Sequence, residues 1–159
     1  MDAPTSKPDF RVGLIADCQY CAAEAAGPRH YRRSPEKLEA CVEHFNRLDL
    51  AYVIHLGDFI DRDFASFDVV LPIYGRLLCP KHHVLGNHDF LVADDRKADV
   101  PGRLDMTERY YDFAVDGWRF LVLDGNDISL HAYPLESPKY RAAVLYHARN
   151  APGSALWNG

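Results

Sequence analysis

The chain has 159 residues, of which 48% are hydrophobic and 26% are charged, the composition of a globular domain with one core. Its formal net charge of -5 provides no basic surface for a phosphate backbone, so we expect no nucleic-acid partner and favour a small substrate or a cation. Neither an apolar signal core nor a run long enough to cross a bilayer is present, which predicts a cytoplasmic protein without a membrane partner.

The four cysteines are Cys18, Cys21, Cys41 and Cys79. Without a secretory signal, they are predicted to be reduced thiols that pack as small hydrophobic residues. Cys18 and Cys21 form a C-x-x-C pair, but a loop rich in glycine and alanine follows it. A redox motif would place the pair at the start of a helix, so a redox role is disfavoured.

Strand and helix patterns alternate along the first part of the chain. The apolar run Phe10–Ala16 predicts a buried strand. Ser34 and Pro35 supply an N-cap and a first helical residue, and apolar residues recur at helical spacing as far as Leu48. A second apolar run, Ala51–Leu56, follows this helix. Strand, helix and strand in this order predict two parallel strands joined by a crossover.

The pattern continues with a second helix and a third strand. Apolar residues at helical spacing predict a helix over Phe67–Leu78, in which Pro72 is expected to introduce a kink or to delay the start. The run His82–Leu85 predicts the third strand. The first half of the chain is therefore predicted to be a βαβαβ unit.

The second half shows weaker patterns. The charged segment Asp94–Asp105 is predicted to be a loop. Tyr110–Val115 and Trp118–Leu123 flank Asp116-Gly117, a two-residue signal for a type I′ hairpin, and we expect this hairpin to extend the sheet. A short helix is predicted around Lys139–Arg149.

Each predicted strand ends in a polar cluster. In an open parallel sheet ligands bind outside the carboxyl ends of the strands, so clusters far apart in sequence are expected to converge. Their inner side chains offer carboxylate and amide oxygens, which suit manganese or magnesium. The clusters are Asp17-x-Gln19, Gly57-Asp58-x-x-Asp61 and Gly86-Asn87-His88-Asp89.

These clusters predict a two-metal site. Two cations about 3.5–4 Å apart can clamp a phosphoryl group, provided that one carboxylate bridges them, and Asp58 is the candidate bridge. His88 is placed to reach the phosphate, with Asp89 expected to fix the orientation of its ring. Taken singly, each aspartate is more often a helix cap or a solvated turn residue. Three such clusters in one chain outweigh that interpretation.

Two further groups of residues flank the clusters. The histidines near the strands are more often core or edge residues than ligands. The arginines of the loop after Asp17 are as often a solvated surface as a clamp for a diphosphate. The groups are His55, His82 and His83, and Arg29, Arg32 and Arg33.

In this order, the three clusters resemble the calcineurin-like metallophosphoesterase superfamily, whose pattern is D-x-H, G-D-x-x-D and G-N-H-D/E, then a lone His and G-H-x-H. Gln19 replaces the histidine of the first motif, and this change resembles the manganese-dependent ADP-ribose/CDP-alcohol diphosphatase branch. The later histidines His131 and His147 stand in no Gly-His-x-His context, so neither is selected as a ligand.

The resemblance implies an α/β fold, the calcineurin-like sandwich, of which residues 1–159 would form the N-terminal portion of a single domain, incomplete at the C-terminus. This portion would comprise the βαβαβ half and an antiparallel hairpin. It also implies two divalent metal ions, Mn²⁺ first, with Mg²⁺, Zn²⁺ and iron as alternatives. The implied metal ligands are Asp17, Gln19, Asp58 and Asn87, and the implied catalytic group is His88 with Asp61 and Asp89 as supporting residues.

The function implied by this resemblance is an enzyme that cleaves the diphosphate linkage of ADP-ribose, CDP-choline or a related nucleotide through a metal-bound hydroxide. The implied partner is therefore a small-molecule nucleotide, whereas the oligomeric state is left open. One alternative is another metallophosphoesterase, acting on phosphomonoesters or cyclic nucleotides. The other is a noncatalytic, truncated remnant, because the later histidine motifs have no counterpart here.

Overall fold

The structure, a computed structural model, describes residues 9–150, and within them it contains two β-sheets and four α-helices. Residues 1–8, where no signal segment is predicted, lie outside this range, as do residues 151–159. The strands are β1 (Val12–Ile15), β2 (Tyr52–His55), β3 (Lys81–His83), β4 (Tyr111–Val115) and β5 (Trp118–Val122). The helices are α1 (Ser34–Phe45), α2 (Phe67–Tyr74), α3 (Val100–Arg103) and α4 (Pro138–Asn150).

The first three strands form a parallel sheet in the order β1-β2-β3. Gly13 of β1 pairs with Val53 of β2, and Val53 pairs in turn with Lys81 of β3. The prediction of parallel strands joined by helical crossovers is confirmed. All four residues of β2 are buried, as expected for the central strand of a parallel sheet that is covered on both faces.

Helices α1 and α2 pack against each other and cover one face of this sheet. Leu38 and Val42 of α1 meet Val70 and Tyr74 of α2 around the fully buried Val53. This main core includes Phe59, Ile60 and Phe90 from the loops that leave the carboxyl ends of β2 and β3. It therefore supplies the rigid support from which those loops project.

The start of α1 differs from the prediction by one residue. A 3-10 turn over Tyr31–Arg33 leads directly into the helix, so Ser34 already has helical dihedrals and Arg33 occupies the cap position. The hydroxyl of Ser34 therefore does not act as the predicted N-cap. Pro35 lies in the first helical turn, where its missing N–H costs no helical hydrogen bond.

Helix α2 begins at Phe67, so Pro72 does not delay its start. The start follows a 3-10 turn that Asp63 caps through a hydrogen bond from the Ala65 N–H. The helix ends at Tyr74, before the predicted end at Leu78. Pro72 lies two residues before this end, and the lack of its N–H weakens the last turn.

The hairpin does not extend the parallel sheet, contrary to the prediction. Strands β4 and β5 form a separate antiparallel sheet that lies over the face turned away from α1 and α2. Phe113 stacks on His82 with ring centroids 3.6 Å apart and contacts Tyr52 edge-on at 5.0 Å. At the edge of β3, the Tyr111 hydroxyl donates to the carbonyl of His83 and accepts from its N–H. A parallel sheet has to be covered on both faces, and the aromatic hairpin supplies the second cover.

Two other segments complete the described part of the chain. The predicted loop Asp94–Asp105 contains a 3-10 segment, Asp94–Asp99, followed by α3. Ion pairs between residues three apart support this 3-10 segment, with Lys97 2.9 Å from Asp94. The helix predicted around Lys139–Arg149 is confirmed as α4. Across residues 9–150, none of the helices combines the length and apolar character needed to cross a membrane.

Candidate metal centre

Three of the four predicted metal ligands have left-handed backbone conformations. The φ angles are 52° at Asp17, 43° at Gln19 and 56° at Asp58. Residues other than glycine rarely adopt this region, at a cost of about 1–3 kcal/mol each, and such residues concentrate at functional sites. Local strain at the ends of β1 and β2 therefore coincides with the positions that the sequence selects for ligation.

Hydrogen bonds join the segments that follow β1 and β2. The backbone N–H of Gln19 donates to the carbonyl of Asp58 at 2.9 Å. The side-chain nitrogen of Gln19 lies 3.4 Å from Asp58 Oδ2 and 3.5 Å from Asp17 Oδ1. It is thus placed between two carboxylates, where a cation would be stabilised. Rotation of the amide by half a turn exchanges its nitrogen for the oxygen that a cation requires.

The loop after β3 approaches the same carboxylate. The backbone N–H of His88 donates to Asp58 Oδ1 at 2.8 Å. A Cβ atom at Gly86 would lie 2.1 Å from Asp58 Oδ1 and 2.2 Å from the Asp58 nitrogen, so only glycine permits this approach. Asn87 stands between these two residues, and its side-chain amide makes no hydrogen bond within residues 9–150. The structure thus brings Asp17, Gln19 and Asp58 together and places Asn87 beside them.

Asp89 holds the loops rather than the histidine ring. Its carboxylate, fully buried, accepts backbone N–H bonds from Gly86, Asp58, Phe59 and Ile60 at 2.7–3.2 Å. Burial raises the pKa of Asp89 to about 6, although these hydrogen bonds favour the charged form. The expectation that Asp89 orients the ring of His88 is wrong, because its oxygens are used to join the second and third clusters.

The ring of His88 contacts Asp61 instead. Its Nδ1 lies 3.2 Å from Asp61 Oδ1, while Asp61 Oδ2 accepts a hydrogen bond from Arg62 at 2.9 Å. Burial alone would raise the pKa of Asp61, but the hydrogen bonds from Arg62 and His88 outweigh it and lower that pKa. An ionised Asp61 favours His88 with a proton on Nδ1, and therefore with Nε2 free to act on a ligand.

Arg62 adds positive charge next to this pair. It has a left-handed φ of 56°, and its guanidinium lies 5.3 Å from the centre of the Tyr31 ring. Because one carboxylate holds both Arg62 and His88, the guanidinium and the imidazole lie on neighbouring sides of Asp61. The sequence patterns contain no signal for Arg62, since it lies just after the second motif.

A second residue that the sequence does not select is His131. Burial lowers the pKa of His131, and the nearby side chains of His88 and Lys97 act in the same direction, while Asp58 acts in the opposite direction. The side chain of His131 is therefore within electrostatic reach of the same cluster. No Gly-His-x-His pattern surrounds His131, and only its position in the fold reveals this proximity.

One residue of the arginine-rich loop, Arg32, stabilises the loop itself. Arg32 forms an ion pair with Glu24 at 2.5 Å and donates to the carbonyl of Ala22 at 2.8 Å. Within the described residues, the side chains of Arg29 and Arg33 make no hydrogen bond or ion pair. The loop thus keeps both of its interpretations, a solvated surface or a clamp for a diphosphate.

All four cysteines are free thiols, as predicted. Cys18 lies between Asp17 and Gln19, and burial, followed by the charge of Asp89, raises its pKa to about 12. It therefore stays protonated near neutral pH and suits packing rather than redox chemistry or ligation.

The donor set fits a hard divalent cation but supplies only part of its ligands. Within residues 9–150, no group of three or more His, Cys, Asp and Glu side chains is arranged to hold a metal ion. The candidate set instead combines two carboxylates with two amides, the oxygen ligands that Mn²⁺ and Mg²⁺ prefer. Two observations support the fit. Gly86 approaches Asp58 so closely that no Cβ atom would fit, and the Gln19 amide nitrogen lies between two carboxylates.

Comparisons with known proteins agree with this geometry. Proteins named manganese-dependent ADP-ribose/CDP-alcohol diphosphatase from Arabidopsis thaliana and Mus musculus are 31% and 30% identical to this chain, covering 91% and 97% of it. The alignments cover 51% and 55% of those relatives, so the chain spans about half their length. A crystal structure described as a dimetal phosphatase from Danio rerio superposes with a TM-score of 0.76 at 28% identity, over 88% of this chain and 52% of that chain.

The predicted fold class and the predicted resemblance are both confirmed by these comparisons. The relatives are named manganese-dependent and the solved structure is titled a dimetal phosphatase, in agreement with the predicted pair of divalent metals. A sequence model described as "Calcineurin-like phosphoesterase" matches residues 10–154. With nearly the whole length matched, the chain belongs to the calcineurin-like phosphoesterase family.

Proposed function

We propose that this chain forms one half of a metal-dependent phosphohydrolase site that cleaves the diphosphate linkage of ADP-ribose, CDP-choline or a related nucleoside diphosphate conjugate. The observation that carries the proposal is the meeting of Asp17, Gln19 and Asp58 at the carboxyl ends of β1 and β2, with Asn87 beside them. The names of the relatives support the substrate class. The chain spans about half the length of those relatives, so we propose this activity for the complete enzyme.

The metal ligands proposed in this half are Asp17, Gln19, Asp58 and Asn87. Asp58 is the proposed bridge because its two oxygens face different segments, Oδ1 towards the His88 N–H and Oδ2 towards the Gln19 amide. When bound, two Mn²⁺ ions would supply Lewis acidity and lower the pKa of water. The other half of the domain would have to supply the remaining ligands.

The proposed role of His88 is to contact the phosphate or to protonate the leaving group. Asp61 supports this role by holding Nδ1, since a fixed ring presents Nε2 in one direction. Arg62 is positioned to stabilise the negative charge of a diphosphate, because half of its side chain is exposed and Asp61 holds it beside His88. Asp89 supports the site by fixing the backbone of the second and third clusters.

Hydrolysis assays test this proposal. ADP-ribose, CDP-choline, a phosphomonoester and a cyclic nucleotide are each incubated with Mn²⁺ and either this chain or a fusion of it to the second half of the Arabidopsis relative. We expect nucleoside monophosphate to be released from the diphosphate substrates, and Asp58→Asn to abolish the release. Hydrolysis of the phosphomonoester or the cyclic nucleotide alone would favour the alternative phosphoesterase activity.

A noncatalytic remnant is the second candidate function. The observation that favours it is the partial ligand set, which includes two carboxylates and no cluster of three His, Cys, Asp and Glu residues in the described part of the chain. A site of this kind binds metal more weakly than a complete one. If neither the chain nor the fusion hydrolyses any of the four substrates although both are folded, this second candidate is preferred.

Three predictions from the sequence stay predictions. These are the single domain over residues 1–159, the lack of a nucleic-acid partner and the cytoplasmic location.

A further inference from the structure

The loop Gly86–Phe90 carries both Asn87 and His88, and a later segment of the chain holds it from outside. The side-chain nitrogen of Asn126 donates to the carbonyl of Leu85 at 3.0 Å, immediately before this loop. Asn126 is 7% exposed and Leu85 is 4% exposed, so water does not compete for this hydrogen bond. The beginning of the loop is thereby fixed to a segment about forty residues away in sequence.

The end of the loop is held by a second contact. The guanidinium of Arg109 lies over the ring of Phe90 at 4.9 Å from its centre, and Phe90 itself is 1% exposed. A cation over an aromatic face in a partly buried place is a favourable contact. The loop is therefore held at both of its ends by residues outside the three sequence motifs.

One buried carboxylate joins these two contacts. Asp124 Oδ1 accepts the backbone N–H of Asn126 at 2.8 Å, and Asp124 Oδ2 lies 2.6 Å from Arg109 Nε in an ion pair that lacks hydrogen-bond geometry. The side chain of Asp124 has no exposed area. A buried carboxylate requires such partners, so displacing Asp124 would release Asn126 and Arg109 together.

We propose that Asp124 and Asn126 are positioning residues that hold the Gly86–Phe90 loop, and with it Asn87 and His88, in the geometry of the metal centre. The part of this inference that concerns metal binding rests on the proposed function. Neither residue touches the reacting groups. Their action passes through the Leu85 carbonyl and the Phe90 ring to the loop between them.

The test compares Asn126→Ala with Asn46→Ala in the full 159-residue chain. Asn46 is a matched control because its side chain also joins distant backbone, donating to the Arg76 carbonyl at 2.9 Å and accepting from the Leu78 N–H at 3.0 Å. Hydrogen exchange is measured at single amides by NMR, and Mn²⁺ affinity by water proton relaxation. Circular dichroism establishes that each variant is folded.

In Asn126→Ala, we expect the amides of Gly86 and His88 to exchange about fivefold faster, the factor for one lost hydrogen bond. We expect Mn²⁺ affinity to fall by about 10-fold or more, as for other residues that support metal ligands. In Asn46→Ala, exchange should increase at Leu78 alone and the Mn²⁺ affinity should be that of the unsubstituted chain. Should Asn126→Ala unfold, Asn126→Ser, which keeps a shorter donor, replaces it in the same comparison.

Unchanged exchange at Gly86 and His88 in the Asn126 variant would overturn the proposal. Equal losses of Mn²⁺ affinity in the Asn126 and Asn46 variants would also overturn it, because they would indicate a general loss of stability. If neither the unsubstituted chain nor its fusion to the second half of the Arabidopsis relative binds Mn²⁺, the proposed function fails, and the exchange rates alone then decide whether Asn126 positions the loop.

Discussion

Replacement of Gly86 by alanine tests the close approach of the third cluster to Asp58. The added Cβ would lie 2.1 Å from Asp58 Oδ1 and 2.2 Å from the Asp58 nitrogen, distances that no pair of nonbonded atoms tolerates. The Asp58 backbone cannot move freely, because its N–H donates to Asp89 Oδ2 and its carbonyl accepts from the Gln19 N–H. The loop after β3 must therefore move away from Asp58.

The expected cost combines two effects. Overpacking at a tight contact costs about 1–3 kcal/mol, and loss of the hydrogen bond from the His88 N–H to the Asp58 carboxylate costs about 1.5–3 kcal/mol. Together they lower the free energy of unfolding by about 2.5–6 kcal/mol and the Tm by roughly 5–24 °C. Mn²⁺ binding should be lost as well, because Asn87 moves with the loop.

Thermal and urea unfolding, followed by circular dichroism, measure the loss of stability in Gly86→Ala. Gly102→Ala is the matched control, since a Cβ at Gly102 meets no atom within 4 Å and this glycine lies in α3. The control should be as stable as the unsubstituted chain or slightly more stable. If Gly86→Ala unfolds at the same temperature as Gly102→Ala and binds Mn²⁺ equally well, the reasoning about this contact is refuted.

Three further predictions concern the charge of the site, the hairpin and the buried histidines. Asp58→Asn should weaken Mn²⁺ binding by more than about 100-fold, the upper range for residues that only support a ligand, whereas Asp116→Asn, at another left-handed aspartate, should leave it unchanged in a relaxation titration. Gly117→Ala should destabilise the chain by about 1–2 kcal/mol in urea unfolding, because Gly117 has a left-handed φ of 79° and no steric clash contributes; equal stability would contradict this backbone conformation. Burial lowers the pKa of His55 to about 3 and that of His83 to about 4. Because the unfolded chain binds protons on these side chains and the folded chain does not, stability should fall from pH 6.5 to pH 4, by about 3 kcal/mol for His83 alone. His83→Phe should reduce this slope in urea titrations at several pH values, and an unchanged slope would contradict the assignment.

The βαβαβ half could be predicted from the sequence because its signals are local. The apolar run Ala51–Leu56 contains the fully buried strand Tyr52–His55, and the helix over residues 34–45 shows a regular apolar spacing. The convergence of Asp17 and Asp58 also follows from topology, since the carboxyl ends of parallel strands lie at one edge of a sheet. These features need no knowledge of the packing between distant segments.

The position of the hairpin could not be predicted in the same way. The alternation of apolar residues in β4 and β5 is equally compatible with a strand at the edge of the sheet and a strand on its face. The choice depends on the stacking of Phe113 on His82 and on the capping of the His83 backbone by Tyr111. Both contacts arise only after the chain has folded.

Within the candidate site, motif spacing predicted which residues lie close together more reliably than which of them contact one another. Asp61 and Asp89 both lie near His88 in the motifs, but only Asp61 contacts the ring, because the backbone N–H groups around Asp58 use the Asp89 oxygens. Asn126 carries no motif and was therefore missed, whereas His131 was not selected because it stands in no Gly-His-x-His context. The hydrogen bond of Asn126 to Leu85 and the electrostatic influence of the site on His131 depend on a loop whose course the sequence patterns do not specify.

The central claim is that Asp17, Gln19, Asp58 and Asn87 together bind Mn²⁺. The most direct test is a crystal structure of the chain grown with Mn²⁺, with anomalous scattering recorded on both sides of the manganese absorption edge. The account predicts an anomalous peak in contact with the oxygens of these four side chains, and its loss in Asp58→Asn. A peak bound elsewhere, or no peak in crystals saturated with Mn²⁺, would contradict it.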